Sequence, residues 1–552
     1  MQAGPGLGST SAGHGGLAGA DRERGCSVDG PSDLGTGASG KGGGAVKLTA
    51  SDTLTLTGTI TVDGATSPGC SNGGAGGSMQ FVARRSPRTG TLSAKGALGA
   101  CANGASGGGG RIALHYESAS GTLLNAGSAL ASSPSASDSA VGGAGTVLFD
   151  KTSAPTSRTL VIDNNGTAAG TTPQLPTAES DDVVVVRGGA RYSVPSGKSL
   201  TVTTSLAGGA TLRGKLTLAS GGTLVAPAAT LTINNLDVDL FGACDTTTDL
   251  TLTNSTFTLG ASGTFLDVLT RLTVGSGGVF EQQGLGPLTL DSLDVQASGT
   301  LRSGDNTSGT KTHQVNVAAT TISIAGTVSA AARGYPVQTG PGLGSASAGH
   351  GGLAGADRGA AYDSVDSPSD LGTGAAGKGG GAVKLTASDT LTLSGAVTVD
   401  GAASPGCGNG GAGGSIWIVA KALAGTGTLS AKGALGACAN GASGGGGRIA
   451  LHYESAGGAL LNAGGARARP RPATRRWRCR HHPPRQDLGP GRARPGHRQQ
   501  RHRRRHHAAG RHLEHLPDAD GARRRAWCRT PRPSAPPPAS SAARSAPRHA
   551  AR

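Results

Sequence analysis

The chain has 552 residues, of which 98 are glycine and only 3% are aromatic, so it lacks the large side chains that fill a thick globular core. Its formal net charge is +17, but residues 467–552 hold 24 arginines and 4 acidic residues and leave the first 466 residues at −3. Without its C-terminal segment the chain is therefore mildly acidic, and its overall positive charge comes from that segment alone. No run approaches the roughly 18 apolar residues of a membrane helix.

One sequence module occurs twice in the chain. GPGLGSTSAGHGGLAGADR at 4–22 returns as GPGLGSASAGHGGLAGADR at 340–358, and GKGGGAVKLTASDTLTLTGTITVDGA at 40–65 returns almost unchanged at 377–402. Internal repeats of this kind indicate a repetitive architecture. The predicted organisation is copy 1 (1–128), a linking region (129–336), copy 2 (337–465) and a C-terminal tail (466–552).

Short alternating strands follow one another through both copies and the linking region. In copy 1, Val46, Leu48, Leu54 and Leu56 alternate with polar residues, which is the period of two of half-buried strands. The linking region continues the pattern in KLTLASGGTLVAPA, DLTLTNSTFTLGASG and PLTLDSLDVQASG. The sequence therefore predicts an all-β parallel β-helix (β-solenoid) with Gly-rich loop excursions, and the alternative is a propeller or an array of β-sandwiches.

The Gly-rich segments carry a resemblance to a known class of proteins. GGAGGSIWIVA, GTGTLSAKGA and SGGGGRIALHY are similar to segments of glycine-rich repetitive surface proteins of bacteria, often described as adhesin-like. The resemblance covers most of residues 1–466 and rests on composition. It implies a secreted or surface-associated role and specifies no ligand.

Four of the eight cysteines occupy matching positions. Cys70 and Cys101 lie in VDGATSPGCSNGG and AKGALGACANGAS, and Cys407 and Cys438 repeat them in copy 2. Stacked coils would bring such residues to about 5 Å between Cα atoms, within the range that a disulfide spans. A disulfide within each copy and two unpaired thiols both fit the sequence, and disulfides would suit an extracellular setting.

GTGASGKG at 35–42 and GTGAAGKG at 372–379 nearly match the phosphate-binding loop of nucleotide-binding proteins. The last position is Gly42 or Gly379, so the hydroxyl that ligates magnesium is missing. The following AVKLTA is typical of a strand, whereas a phosphate loop opens a helix. A Gly-rich turn is therefore predicted at both places, and no cofactor or metal is expected.

A second set of motifs resembles polygalacturonases, which are β-helix glycosidases with GHG, DD and RIK motifs. The chain has GHG at 13–15 and 349–351, Asp181-Asp182, and RIA at 111–113 and 448–450. The lysine of RIK is replaced by alanine and no NTD motif occurs, although such enzymes need paired carboxylates. A carbohydrate-active enzyme is the alternative to a non-catalytic protein.

Asp63 and Asp400 each lie in a VDGA segment. Both are expected to stabilise turns rather than to bind calcium.

The basic tail is predicted to be an out-of-frame translation. Written in GC-rich codons and shifted by one base, GHRQQRHRRRHHAA at 496–509 becomes VIDNNGTAAGTTP, which is Val161 to Pro173 of the linking region. The tail is expected to be disordered and to bind anions nonspecifically.

The start of the chain falls inside the repeated module, because Met1 aligns with Val337 of copy 2. We therefore expect that the true start, with any export signal, lies upstream.

These observations predict a non-catalytic structural or adhesive repeat protein of the bacterial cell surface or secretome, and a fragment of a longer chain. Its partners would be surface glycans or neighbouring cell surfaces, reached through weak multivalent contacts. No specific nucleic-acid partner and no membrane span are expected.

Overall fold

The computed structural model describes residues 12–14, 27–69, 71–100, 104–121, 129–134, 141–174, 178–227, 229–245, 249–267, 269–355, 359–437, 441–457 and 466–467. All of them belong to one compact unit, Met1–Arg476. The predicted tail beyond residue 467 lies outside the described residues.

The described residues contain 32 strands and no helix. The strands are β1 (Ala45–Thr49), β2 (Thr59–Thr61), β3 (Ser78–Arg88), β4 (Thr91–Ser93), β5 (Arg111–Gly121), β6 (Ala129–Leu130), β7 (Thr146–Lys151), β8 (Ser157–Asp163), β9 (Thr171–Pro173), β10 (Glu179–Arg187), β11 (Arg191–Val194), β12 (Ser199–Ala207), β13 (Gly214–Leu218), β14 (Thr223–Val225), β15 (Thr230–Asn234), β16 (Leu236–Leu240), β17 (Ala243–Asp245), β18 (Asp249–Thr253), β19 (Thr256–Leu259), β20 (Thr264–Phe265), β21 (Arg271–Val274), β22 (Val279–Gln282), β23 (Leu288–Val295), β24 (Thr300–Ser303), β25 (Val315–Ile324), β26 (Thr327–Ser329), β27 (Ala382–Leu393), β28 (Ala396–Thr398), β29 (Ser415–Gly425), β30 (Thr428–Ser430), β31 (Arg448–Ala456) and β32 (Ala466–Arg467).

These strands form sheets of 18, 11 and 3 strands, and their pairing is almost entirely parallel. The 18-stranded sheet bends within its longer strands, where the register shifts between Asp181 and Val183 in β10 and between Ala387 and Thr390 in β27. Segments before such a bend form a first face, and segments after it form a second. The 11-stranded sheet, and in copy 1 the 3-stranded sheet, supply the third face. The chain is therefore a parallel β-helix, as predicted, and the antiparallel propeller and β-sandwich alternatives are wrong.

The coils differ in length between the linking region and the two copies. Thr230 pairs with Asp249, only 19 positions later, whereas Ala382 pairs with Ser415, 33 positions later. Copy 1 repeats the longer spacing, since Ala45 pairs with Ser78. The additional residues of each long coil form the Gly-rich excursions.

Glycine is required where these excursions stack backbone on backbone. A Cβ on Gly447 would lie 2.0 Å from the carbonyl oxygen of Gly414, and a Cβ on Gly414 would lie 1.9 Å from that of Gly381. Gly110 and Gly77 form the equivalent column in copy 1. Real Cβ atoms essentially never approach so closely, so only glycine fits at these positions. The high glycine content of the excursions therefore follows from the stacking.

Inward residues of successive coils form apolar columns. On the third face, Val238, Phe257, Phe280 and Leu301 pair in register, and the rings of Phe257 and Phe280 stack with their centroids 5.5 Å apart. All four are buried. Such columns remove the aliphatic half of each alternating strand from water and so hold the coils together.

Among the described strands, the stack contains one reversal that the sequence pattern did not predict. β7 pairs in parallel with β5, but β8 pairs with β7 in antiparallel orientation. Val147 and Phe149 of β7 belong to the core of copy 1, whereas Leu148 between them belongs to the core of the linking region and copy 2. Since alternate side chains point to opposite faces of a strand, β7 separates two cores that lie on opposite sides of one continuous sheet.

Candidate functional site

A buried histidine anchors the Gly-rich excursion of copy 2 to the solenoid. His350 has no exposed surface, and its Nδ1 donates to the carbonyl oxygen of Gly413 at 2.7 Å. Its Nε2 lies 3.4 Å from Asp363 Oδ2 and 3.4 Å from Ser415 Oγ, and its ring packs against Tyr362 with centroids 4.7 Å apart. The excursion is thereby fixed over the start of β29.

Copy 1 repeats part of this arrangement. Nδ1 of His14 lies 3.1 Å from the carbonyl oxygen of Leu34, and its Nε2 lies 3.0 Å from Ser78 Oγ, the equivalent of Ser415. Burial, with a further contribution from the charge of Arg111, lowers the pKa of His14 to about 3. His14 is therefore a neutral, buried anchor at ordinary pH.

Ser415, His350 and Asp363 are the residue types of a nucleophilic triad, but their geometry does not present a nucleophile. Ser415 is buried, and its Oγ lies 2.6 Å from the carbonyl oxygen of Asp370 and 3.0 Å from Asp363 Oδ2. Burial raises the pKa of Asp363, but hydrogen bonds from His350, from backbone amides and from Ser415 outweigh it and hold that pKa below its usual range. A nucleophile must reach substrate, and this hydroxyl instead faces backbone and carboxylate.

The structure brings the GHG and RIA motifs together in copy 2. Nε of Arg448 donates to the carbonyl oxygen of Tyr362 at 2.7 Å, and a Cβ on Gly351 would lie 2.9 Å from Cγ of Arg448. The motifs therefore meet at the anchor of the excursion. Asp181-Asp182, the third motif, lies elsewhere, in β10.

Asp181 and Asp182 belong to a charged cluster beside the reversal. Nε of Arg158 in β8 lies 2.7 Å from Asp181 Oδ1, and its backbone amide donates to Asp182 Oδ2 at 2.8 Å. Arg158 also contacts Asp29. Glu179, two residues before Asp181, accepts a hydrogen bond from Tyr192. The Asp181-Asp182 motif in the sequence did not indicate that Glu179 lies in the same cluster.

Two carboxylates of this cluster are almost fully buried, with 5% of Glu179 and 2% of Asp181 exposed. Burial raises the pKa of Asp181 to about 7, and Arg158 only partly opposes that shift. Burial also raises the pKa of Glu179, against the hydrogen bond from Tyr192. Such a pair has the residue types of an acid–base site but lies inside the fold.

The loops that resemble phosphate-binding loops close on themselves. The amide of Gly35 donates to the carbonyl oxygen of Gly43 at 2.8 Å, and the amide of Gly372 donates to that of Gly380 at 2.7 Å. Both loops lead into strands, β1 and β27. The prediction of Gly-rich turns is thus confirmed for both loops.

Asp63 and Asp400 serve equivalent turns. Oδ1 of Asp63 accepts hydrogen bonds from Ser93 Oγ at 2.7 Å and from the amide of Lys95 at 2.6 Å. Oδ1 of Asp400 accepts the equivalent bonds from Ser430 and Lys432. Each aspartate therefore ties its turn to the next coil.

The candidate disulfide residues are only partly described. Cys407 is disulfide-bonded. Cys70, Cys101 and Cys438 lie outside the described residues, so the pairing within each copy stays a prediction. Cys244 in β17 is a free thiol, and burial raises its pKa to about 12.

The second face displays two rows of polar side chains to solvent, which we call the hydroxyl face. Strand partners place the members of each row side by side in successive coils, about 4.8 Å apart. One row is Thr232, Thr251, Thr273, Asp294, Ser323 and Thr392, and the other is Thr230, Asp249, Arg271, Ser292, Thr321 and Thr390. Every residue between the two rows is an inward, buried aliphatic one.

Hydroxyl groups of neighbouring coils lie close enough to hydrogen-bond elsewhere on the surface too. In copy 1, the Oγ1 atoms of Thr59 and Thr91 are 2.8 Å apart on the third face. Charged pairs interrupt the hydroxyls on the third face of the linking region, where Lys215 Nζ lies 2.5 Å from Asp239 Oδ2. The hydroxyl face also contains Asp249, Arg271 and Asp294, but the other nine members of its two rows are Thr or Ser.

No protein family, curated protein or solved structure matches this chain. Within the described ranges, no three His, Cys, Asp or Glu side chains are grouped so as to hold a metal ion. No helix in that part of the chain is long and apolar enough to cross a membrane.

Proposed function

We propose that this chain is a non-catalytic structural or adhesive repeat protein that acts at the bacterial surface or in the secretome. The observation that carries the proposal is the hydroxyl face, whose two rows run along at least six successive coils of a stiff scaffold. The ligands would be surface glycans, whose own hydroxyl groups recur along a polymer.

The mechanism would be multivalent. Exposed Thr and Ser hydroxyls each donate and accept hydrogen bonds, and a single such bond in water contributes only about 1 kcal/mol. A row of equivalent groups at a fixed spacing can engage a repeating polymer at several points, and linked weak contacts add to high avidity. Asp249, Arg271 and Asp294 would add charge-assisted bonds within the same rows.

Binding of the purified chain to an array of bacterial cell-wall and capsular polysaccharides tests this proposal. The test variant replaces Thr232, Thr251, Thr273 and Thr392 with valine, which keeps side-chain shape and strand propensity. The matched control replaces Thr217, Thr300, Thr327 and Thr398 of the third face. We expect binding to fall in the test variant and to persist in the control, whereas equal binding by both would overturn the hydroxyl face as the site.

A carbohydrate-active enzyme is the second candidate, and the buried Glu179 and Asp181 are the described pair that favours it. Their carboxyl groups would have to open to solvent to protonate a glycosidic oxygen and activate water. Release of reducing ends from the same polysaccharides, lost in Asp181→Asn and Glu179→Gln, would support the enzyme and contradict a non-catalytic role.

A further inference from the structure

The stack of coils exposes core-type residues at both of its ends. The β1 end consists of Val46, Leu48, Leu54, Leu56 and Ile60, which are only partly buried, and Leu48 is 38% exposed. The β31 end consists of Ile449, Leu451 and Tyr453, of which Tyr453 is exposed. Among the described strands, β1 pairs only with β3, and β31 pairs only with β29.

In each copy, the equivalents of one set of these end residues are covered by a neighbouring coil. Val383 and Leu385, the equivalents of Val46 and Leu48, pair with Val315 and Val317 of β25 and are fully buried. At the opposite side, Ile112 and Leu114, the equivalents of Ile449 and Leu451, pair with Val147 and Phe149 of β7. The two ends are thus unfilled positions of one repeating cross-section.

We propose that the two ends join head to tail, so that β31 of one chain pairs in parallel with β1 of a second copy of this chain. The pairing would repeat the register between coils of one module, in which Val46 faces Met79 and Ile416 faces Ile449. Ile449 would then cover Val46, and Leu451 would cover Leu48. Adding a strand in this way would pair the backbone hydrogen-bonding groups at both edges, and it would also cover the apolar columns.

The glycine column is open at the β1 end and covered at the β31 end. A Cβ placed on Gly44 would meet nothing within 4 Å, whereas a Cβ on Gly351 would lie 2.1 Å from the carbonyl oxygen of Gly447. The amide of Gly352 also donates to the carbonyl oxygen of Gly446 at 3.0 Å. The joint therefore requires residues 351 and 352 to move aside before Gly44 can sit on Gly447 in the way that Gly447 sits on Gly414.

The outward charges do not oppose the joint. In this register, Arg448 would stand beside Ala45, Ala450 beside Lys47, and His452 beside Thr49. No like charges meet directly, whereas an antiparallel joint of two β1 strands centred on Lys47 would place two lysines opposite each other. A head-to-tail contact between different surfaces produces filaments unless the rotation between successive copies closes a ring.

Two complementary variants test the joint. Leu48→Glu damages the β1 end and leaves the β31 end intact, and Leu451→Glu does the reverse. By sedimentation velocity, we expect the wild-type chain to form concentration-dependent oligomers. Each variant alone should self-associate more than about tenfold more weakly, since burying a leucine contributes roughly 1.5–3 kcal/mol. An equimolar mixture should form 1:1 dimers through the two intact ends.

Leu266→Glu serves as the control, because Leu266 is 59% exposed and lies between β20 and β21, in the middle of the stack and away from both ends. It should leave the oligomers unchanged, and circular dichroism should show native strand content in every variant. A monomeric wild-type chain would overturn the proposal. Loss of association in Leu48→Glu but not in Leu451→Glu, with only Leu451→Glu homodimers in the mixture, would instead show a joint between two β1 ends. Either result leaves the proposal about the hydroxyl face untouched, because glycan binding is measured separately.

Discussion

Copy 1 and copy 2 contain the same twelve-residue segment, AVKLTASDTLTL, in two different surroundings. In copy 2 the segment forms β27 between β25 and β29, and Leu385 is fully buried. In copy 1 the segment has β3 on one side only among the described strands, and the equivalent Leu48 is 38% exposed. Burial in this solenoid is therefore set by neighbouring coils as well as by the residue's own sequence context.

The largest expected difference follows from truncating these leucines. Leu385→Ala should lower the free energy of unfolding by about 2–5 kcal/mol, because it leaves a cavity between two coils. Leu48→Ala should cost much less, since water already reaches that side chain. Urea unfolding of the two variants measures the difference, and equal losses would mean that the two environments are alike.

Two equivalent glycines differ in the space around them in the same way. A Cβ on Gly395 would lie 2.0 Å from the carbonyl oxygen of Gly326, whereas one on the equivalent Gly58 would meet nothing within 4 Å. Gly395→Ala should therefore destabilise the chain by about 1–3 kcal/mol through overpacking. Gly58→Ala should be close to neutral, and a comparable loss of thermal stability in both variants would contradict the structure.

The junction between the two cores should respond to pH through Asp181. Its pKa is raised by burial from 3.8 to about 7 in the folded chain. The unfolded chain loses this proton near pH 4 but the folded chain keeps it, so the stabilisation is complete below that pH and is lost as the pH rises through 7. We expect stability to decrease from pH 5 to pH 8 and this decrease to be smaller in Asp181→Asn.

The smallest expected effects come from the turn aspartates. Asp400→Ala and Asp63→Ala each remove two hydrogen bonds to the next coil, and each should cost about 1–2 kcal/mol. Because both bonds reach a coil that is present in both copies, the two losses should be similar. A large difference in their urea midpoints would show that the copies differ beyond their outer neighbours.

Much of the fold could be predicted because period-two alternation and stacked glycines are local properties. Leu54, Leu56 and their equivalents mark strands wherever they recur, and a repeated module must repeat its coils. The reversal at β7 was missed, although TVLFDK carries a signal in the adjacent apolar residues Val147, Leu148 and Phe149. A strand that is apolar on both faces separates two buried layers.

The candidate sites were less predictable, because their partners come from distant coils. His350 and Ser415 are 65 positions apart, and Arg448 and Tyr362 are 86 positions apart. Glu179 and Asp181 are neighbours in sequence, but their burial depends on Arg158, Tyr192 and the reversal beside them. The hydroxyl rows were visible as Thr-rich strands, and only the register between strands aligns them.

Hydrogen exchange can compare the two copies of AVKLTASDTLTL directly within one molecule. Proteolytic fragments that extend to Thr59 or to Ala396 differ in sequence and can be told apart by mass. At concentrations where the chain is monomeric, we expect the segment at 382–393 to be strongly protected and the segment at 45–56 to exchange much faster. Equal protection of the two segments would contradict the account of one covered and one open copy.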